Sequence, residues 1–166
     1  MERRRAQSLS IAVSLDRQCL TLHGDAGVVA TFAVSTSKFG AGERRGSFRT
    51  PRGRHVVRAK IGEDQPLGTV FRGRRPTGEI YSPALASAHP DRDWILTRIL
   101  WLSGSEVGKN RLGDVDTMRR YIYIHGTPDS DVLGVPGSIG CIRMSNRDVV
   151  ELFDLVLVGT VVEIGP

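Results

Sequence analysis

The first regular pattern in the chain is an alternation of apolar and small polar side chains over residues 8–15. Its apolar positions share one face of an extended segment and are Leu9, Ile11, Val13 and Leu15. A period of two over this length predicts a half-buried β-strand. Further β-rich segments, separated by glycine- and proline-bearing turns, lie at 19–23, 28–35, 55–60, 94–102, 120–124 and 160–164. The pattern therefore predicts a mainly β domain that begins with a meander of hairpins.

One stretch has the periodicity of an α-helix. Ser145 is placed to cap its amino terminus, and Asp148 three residues later completes a capping-box pattern. The apolar residues that follow at helical spacing are Val149, Leu152, Phe153 and Val156. Gly159 predicts the end of this helix. Residues 36–54 and 61–92 are rich in glycine, proline and arginine, and we expect them to form long loops.

The composition is that of one globular domain. A chain of 166 residues can bury a single core, and 40% hydrophobic with 25% charged residues excludes the disordered and membrane-protein classes. The arginine run in residues 1–7 predicts a flexible basic amino terminus. Residues 8–16 lack the uninterrupted apolar stretch of a signal peptide. We therefore expect no signal peptide in this sequence and no stable membrane insertion.

The net charge is +5 and the calculated isoelectric point is about 9.8. A basic surface attracts anionic partners, although charge alone favours a solvated surface without a specific partner. Two cysteines are too few for a disulfide framework in a chain of this length. Cys19 lies in a predicted strand, where packing is its expected role.

Residues 121–144 contain the most informative chemistry. A predicted strand ends at His125, a glycine- and proline-bearing loop follows, and Ser138-Ile139-Gly140-Cys141 precedes the helix. The thiolate is the nucleophilic form of cysteine, and at neutral pH it needs a neighbouring base or positive charge. The pair alone is weak evidence, because a packed cysteine near a hydrogen-bonded strand-end histidine has the same spacing.

The surrounding residues strengthen the enzymatic interpretation. The chain has His125-Gly126-Thr127 at the end of a strand, and then Ser138-Ile139-Gly140-Cys141 with Arg143 two positions later. These residues resemble the active-site signature of the L,D-transpeptidase catalytic domain, the YkuD-type family. The segment SFRTPRG at 47–53 is similar to a Thr-Pro-x-Gly turn of that family, and the resemblance covers nearly the whole chain. Many members carry a second histidine at the position of Ile139.

The resemblance implies a mainly β fold, a YkuD-type β-sandwich of mixed sheets with one C-terminal helix and long active-site loops. Residues 8–166 would then form the catalytic domain after the flexible residues 1–7. It also implies a cofactor-free, monomeric protein of the cell envelope or periplasm that acts on peptidoglycan stem peptides and does not bind nucleic acid. His23, His55 and His89 lack metal-ligand spacing, so we expect no metal.

The same resemblance implies roles for individual residues. Cys141 attacks the carbonyl between the diamino acid and the D-alanine of a stem peptide, while His125 takes the thiol proton and later donates it to the leaving amine. The Gly126 carbonyl orients the imidazole, and the amides of Gly140 and Cys141 form an oxyanion hole. An amine acceptor then converts the thioester into a 3-3 cross-link or a protein attachment. The expected substrate-binding residues are Tyr123, Thr127, Ser138 and Arg143.

Two alternatives stay open at this point. Water in place of the amine would make the protein an L,D-carboxypeptidase. The chain could also be a non-catalytic basic module that binds peptidoglycan or nucleic acid, although 6% aromatic residues provide few platforms for base stacking. A binding module would keep its function after Cys141→Ala, whereas either enzyme would lose turnover.

Overall fold

A computed structural model describes residues 8–166. Within that range, two α-helices, α1 (Pro83–Ala88) and α2 (Asn146–Leu155), and one 3-10 turn (Gly113–Val115) accompany ten strands. The strands are β1 (Ser10–Ser14), β2 (Cys19–Gly24), β3 (Gly27–Ala33), β4 (Gly53–Ile61), β5 (Thr69–Arg72), β6 (Arg75–Ile80), β7 (Ile95–Gly104), β8 (Tyr123–Gly126), β9 (Ile142–Met144) and β10 (Val161–Gly165). The predicted mainly β class with one main helix is confirmed. The predicted flexible segment, residues 1–7, lies outside the described residues.

Strand β7 connects the two parts of the sheet structure. One of its edges pairs with β4 and, at its beginning, with β5, while its other edge pairs with β8. The hydrogen-bonded order is β3-β2-β1-β10-β4-β7-β5-β6, and β9 continues from β8. The β1–β10 and β8–β9 pairs are parallel and the other pairs are antiparallel. The pairing is therefore mixed, as the sequence predicts.

Helix α2 covers the main hydrophobic core. Ser145 caps it, and its hydroxyl accepts a hydrogen bond from the Asp148 amide at 3.1 Å. The helix buries the predicted apolar stripe, Val149, Leu152 and Phe153. These side chains pack on the strands through a buried set that includes Ile11, Leu22, Leu100, Ile124, Ile142 and Met144. Because β8 and β9 contribute to this core, the helix fixes the position of the strands that carry the candidate site.

Residues 61–92 are more regular than the sequence predicts. They contain the β5–β6 hairpin and the short helix α1 rather than loops alone. The residue pattern hides β6, because Pro76 and Gly78 disfavour strands in general. Proline is tolerated in β6 since this strand lies at the end of the pairing order, where one backbone edge needs no partner.

The strand that carries His125 is displaced from its predicted position. The sequence predicts a strand over 120–124, but β8 begins at Tyr123 and includes His125 and Gly126. Tyr121 has a φ of 56°, a left-handed conformation that interrupts an extended strand. The residues before β8 therefore form a turn, and the strand starts after it.

His55 is fully buried in β4, and both of its ring nitrogens have partners. Nδ1–H donates to the Gly53 carbonyl at 3.0 Å, and Nε2 accepts from the Thr117 hydroxyl at 2.9 Å. Burial lowers the pKa of His55 to about 4, and the Gly53 carbonyl and Glu106 oppose this shift. The folded protein therefore keeps this imidazole neutral at pH values where an unfolded chain protonates it.

This lowered pKa predicts a loss of stability in acid. His55 contributes fully to stability above its unfolded pKa of 6.5, and this contribution declines until the pH reaches its folded pKa of about 4. We expect His55 to account for about 3 kcal/mol of the decrease in unfolding free energy over this interval. Urea unfolding at pH 7 and pH 4 measures the decrease, which should be smaller in His55→Asn than in wild type. His89→Asn, at an exposed position, is the control. Equal decreases in wild type and His55→Asn would contradict the assignment.

Candidate active site

The parallel β8–β9 pair brings the predicted catalytic residues to one face. Its register sets His125 opposite Arg143, and Tyr123 and Cys141 lie two residues earlier on the two segments. Side chains alternate along extended chain, so these four point to the same side. The residues between and after them, Ile124, Ile142 and Met144, are buried in the main core. His125 and Cys141 are therefore diagonal neighbours on the face that lies away from this core.

His125 is completely buried and is held by the residue that follows it. Its Nδ1–H donates to the Gly126 carbonyl at 2.7 Å, which fixes the proton on Nδ1 and leaves the lone pair on Nε2. Nε2 is buried and has no hydrogen-bond partner within residues 8–166. Burial lowers the pKa of His125, against opposing contributions from the Gly126 carbonyl and Asp93. The side chain is thus a neutral imidazole with a free basic nitrogen.

Cys141 is partly exposed and is a free thiol, as is Cys19. The thiol donates to the Tyr121 carbonyl at 3.4 Å, and Sγ accepts the Tyr123 amide at 3.3 Å. Burial raises the pKa of Cys141 to about 12, and the Tyr123 amide only partly opposes this. The resting sulfur is therefore a protonated thiol.

The sulfur and the imidazole share a face without a hydrogen bond between them. In the described part of the chain, the sulfur bonds to backbone groups of Tyr121 and Tyr123, and Nε2 of His125 makes no bond. With the thiol pKa raised and the imidazole pKa lowered, both groups are neutral at rest. The resting site therefore contains neither a thiolate nor an imidazolium.

Arg143 is neutralised by two carboxylates. It bonds to Asp93 at 3.0 Å and lies 3.7 Å from Asp131, and it also donates to the Gly137 carbonyl at 3.2 Å. Its Nε is buried and has no partner in the part of the chain that the structure describes. Asp93 acts on the pair as well, since its charge raises the pKa values of both His125 and Cys141. Side chains outside the predicted motif thus contribute to the electrostatics of the site.

Three predicted site residues, Thr127, Ser138 and Gly140, form hydrogen bonds within the loop that connects β8 to β9. The Ser138 hydroxyl donates to the Cys141 carbonyl at 2.5 Å and accepts the Gly140 amide at 3.2 Å. The Thr127 hydroxyl donates to Asp131. Ser138 and Thr127 are each 1% exposed, and their hydroxyl groups bond within the loop. The Gly140 amide, which we expect in an oxyanion hole, donates its hydrogen bond to the Ser138 hydroxyl in this structure.

The tip of the β5–β6 hairpin supplies a residue that the sequence did not indicate. Arg74 donates to the Tyr123 hydroxyl at 3.1 Å and lies over the rings of Trp101 and Tyr121, 4.7 and 4.9 Å from their centroids. Tyr123 is 5% exposed and lies beneath Arg74, to which its hydroxyl group is hydrogen-bonded. The sequence does show an arginine cluster at 72–75, but it does not show that the β5–β6 hairpin brings this cluster to the site.

The loop before β4 is fixed against the cysteine loop. Thr50 donates its hydroxyl hydrogen bond to the Gly140 carbonyl at 2.9 Å. The half-buried Arg120 donates to the carbonyls of Gly42 and Arg49, at 3.2 and 2.6 Å. The Thr-Pro-x-Gly turn at residues 50–53 thus holds the Gly140 peptide group that precedes Cys141.

A family model described as the L,D-transpeptidase catalytic domain, YkuD, matches residues 8–164. The chain belongs to the L,D-transpeptidase family. Over 48 residues it is 48% identical to a Bacillus licheniformis protein that bears the name L,D-transpeptidase YkuD, and this stretch is 29% of either chain.

Solved structures of similar fold agree with the family. An L,D-transpeptidase from Mycobacterium smegmatis matches with a TM-score of 0.57 and 21% identity, over 96% of this chain and 59% of that one. L,D-transpeptidase 3 from Mycobacterium tuberculosis, in complex with a faropenem-derived adduct, matches with a TM-score of 0.59 and 16% identity, over 96% and 61%. The chain therefore spans less than two thirds of these structures, and at such identities the likeness concerns the fold.

The neutral resting thiol predicts slow alkylation. In a Cys19→Ala background, we expect Cys141 to react with iodoacetamide more slowly than a free thiol at pH 7.5, because burial keeps the sulfur protonated. The rate should rise without a plateau between pH 6 and pH 10, as followed by intact mass. The same variant in urea is the control and should react faster. A plateau with a midpoint below pH 8 would instead indicate a resting thiolate–imidazolium pair.

The close packing around Gly126 predicts that a methyl group is not tolerated there. A Cβ at this position would lie 2.5 Å from Asn146 Oδ1 and 2.6 Å from the Leu96 carbonyl. We expect Gly126→Ala to lower the unfolding free energy by about 1–3 kcal/mol because β8 must shift. Chemical denaturation measures the loss. Gly165→Ala is the matched control, since a Cβ there has no neighbour within 4 Å. Equal stability of the two variants would argue against tight packing at Gly126.

Proposed function

We propose that this protein is a cysteine acyltransferase that acts on peptidoglycan stem peptides, with Cys141 as nucleophile and His125 as general base and acid. Family membership supports a transpeptidase enzyme. The observation that carries the assignment to residues is Nε2 of His125, which is buried, unpartnered and held in its basic form by Gly126, on the face shared with Cys141. A buried nitrogen without a partner is costly to maintain in a purely structural role.

In the first half of the proposed reaction, the carbonyl carbon between the diamino acid and D-alanine bonds to Sγ of Cys141. The thiol proton passes to Nε2 of His125, which then donates it to the departing amine as the carbon–nitrogen bond breaks. The Cys141 amide, and the Gly140 amide after releasing its 3.2 Å bond to Ser138, would stabilise the oxyanion. The product is a thioester and a free D-alanine.

In the second half, an amine of another stem peptide attacks the thioester. Its nitrogen loses a proton to His125, which returns a proton to the leaving sulfur. The carboxylates of Asp93 and Asp131 lie beside Arg143, and their side chains remain 36% and 35% exposed. Partly exposed carboxylates attract an ammonium group, which releases one proton to solvent before it attacks as the neutral amine, and they offer nothing comparable to water. This favours transpeptidation over hydrolysis, the L,D-carboxypeptidase reaction.

We assign this activity to residues 8–166 as the catalytic domain and place it in the cell envelope, where its substrate lies. Among the helices of the described range, none has the length and apolar character needed to cross a bilayer. The basic net charge of +5 suits a substrate that carries several carboxylates.

A carbapenem tests the nucleophile. We expect wild type to gain the mass of one carbapenem, since Cys141 should be acylated by the strained lactam as by a peptide. Solved structures of similar fold hold β-lactam compounds, the carbapenem imipenem in one and an adduct derived from the penem faropenem in another. Intact mass should show no adduct in Cys141→Ala. Cys19→Ala is the matched control and should be labelled like wild type. An adduct that persists in Cys141→Ala would refute the assignment.

Turnover of stem tetrapeptide tests the base. His125→Gln should lower the rate of D-alanine release by about 10²–10⁴-fold, because the thiol loses its proton acceptor. Chromatography with mass detection separates released D-alanine, cross-linked product and hydrolysed tripeptide. Wild-type protein that releases no D-alanine from the tetrapeptide would contradict the proposed function, and tripeptide as the sole product would reassign it as a carboxypeptidase.

A further inference from the structure

We propose that a small cavity beside Cys141 binds the terminal residue of the donor peptide, the one that leaves, through its free carboxylate and its apolar side chain. This inference rests on the proposed function and adds the recognition of the leaving residue. The cavity has a volume of about 210 Å³. Its lining includes three arginines and three large apolar residues, Arg45, Arg119, Arg120, Phe48, Tyr121 and Ile139. The cavity is smaller than pockets for drug-sized ligands, about 300–1,000 Å³, so its size suits one amino-acid residue.

The cavity is bordered by residues that act on the sulfur, since it is lined by Tyr121 and by Arg120, whose charge lowers the pKa of Cys141. The Tyr121 carbonyl accepts the hydrogen bond of the Cys141 thiol at 3.4 Å, and the side of Tyr121 lines the cavity. Ile139 lies two residues before the cysteine in the same loop. In the proposed complex, a peptide whose carbonyl lies at Sγ places its leaving residue in this cavity.

The walls of the cavity are apolar and exposed. Phe48, Tyr121 and Ile139 are 55%, 54% and 42% exposed, which is unusual for large apolar side chains gathered in one place. Phe48 and Tyr121 also have left-handed backbones, with φ values of 58° and 56°. Glycine adopts this conformation freely, whereas aromatic residues do so under strain. Phe48 also contacts Phe39 and Tyr121 contacts Trp101, with ring centroids 6.4 and 6.2 Å apart, so both aromatic side chains are held in place at the cavity.

The rim of the cavity is cationic. Arg45 and Arg119 are exposed and form no salt bridge within residues 8–166, while Arg120 is committed to the carbonyls of Gly42 and Arg49. Of the described residues, no aspartate or glutamate lines the cavity. A carboxylate beside an apolar side chain complements this arrangement.

A second group of charged side chains that acts on Cys141 has the reverse polarity. In this group Asp93 and Asp131 accompany Arg143, so a free carboxylate would meet two like charges. In the proposed reaction the leaving residue carries the free carboxylate and the acceptor carries an ammonium. The charge distribution therefore directs the leaving residue to the arginine side and the acceptor to the aspartate side.

Donor peptides that differ only at the last residue test this. They end in D-alanine, in D-alanine carboxamide or in D-leucine, and release of the last residue gives kcat/KM. Wild type should prefer the carboxylate to the carboxamide by about tenfold or more, from one charged hydrogen bond. The Arg45→Ala/Arg119→Ala double variant should lose this preference. Arg44→Ala, an exposed neighbour that lines a different cleft, is the control and should keep it.

The apolar wall is tested with Phe48→Gly and Ile139→Ala. Both should lower kcat/KM for the D-leucine donor relative to the D-alanine donor by several-fold, and Phe48→Gly should fold because glycine tolerates its φ of 58°. Turnover by wild type with equal rates for carboxylate and carboxamide donors, or an unchanged preference in the double arginine variant, would overturn the inference and leave the proposed function standing. Absence of turnover with every donor would overturn both.

Discussion

The hydrogen bond from Nδ1 of His125 to the carbonyl of Gly126 is the constraint on which the site depends. It selects the tautomer and aims Nε2 at the face that carries Cys141. The carbonyl itself is fixed because Gly126 lacks a side chain, which lets the Leu96 carbonyl and Asn146 approach closely. Strand β7, through Leu96, and the first residue of α2, Asn146, thus pack against Gly126 and restrict the imidazole that is bonded to its carbonyl.

Burial then determines the charge state of the resting site. The same desolvation that raises the thiol pKa lowers the imidazole pKa, so one environment disfavours both charged forms. A neutral thiol tolerates contact with the Tyr121 carbonyl, which a thiolate would repel. In the proposed reaction, the sulfur would therefore give up its proton only when a bound carbonyl changes its surroundings.

The sequence predicted those features that depend on local pattern. The capped helix, the alternation of β1 and the adjacency of His125 to the cysteine loop follow from periodicity, capping and the motif. It did not predict the β5–β6 hairpin, because proline and glycine in β6 are tolerated only by its edge position, a property of the assembled sheet. Arg74 and Asp93 were missed for the same reason, since each reaches the site from a segment remote in sequence. Ser138 and Thr127 lie within the motif, but the sequence could not tell whether a hydroxyl faces substrate or its own loop.

The position of Ile139 connects these observations to specificity. A histidine there, as in many relatives, would place a polar ring at the mouth of the cavity, whereas isoleucine continues the apolar surface of Phe48 and Tyr121. The proposed base does not depend on this position, because His125 is held from β8 and not from this loop. If Cys141 is the nucleophile, a substitution at residue 139 would alter which residue leaves without altering how it leaves. The proposed proton acceptor and the cavity are held by different parts of the fold. The paired strands β8 and β9 and helix α2 fix His125, whereas loops that are hydrogen-bonded by Thr50 and Arg120 shape the cavity.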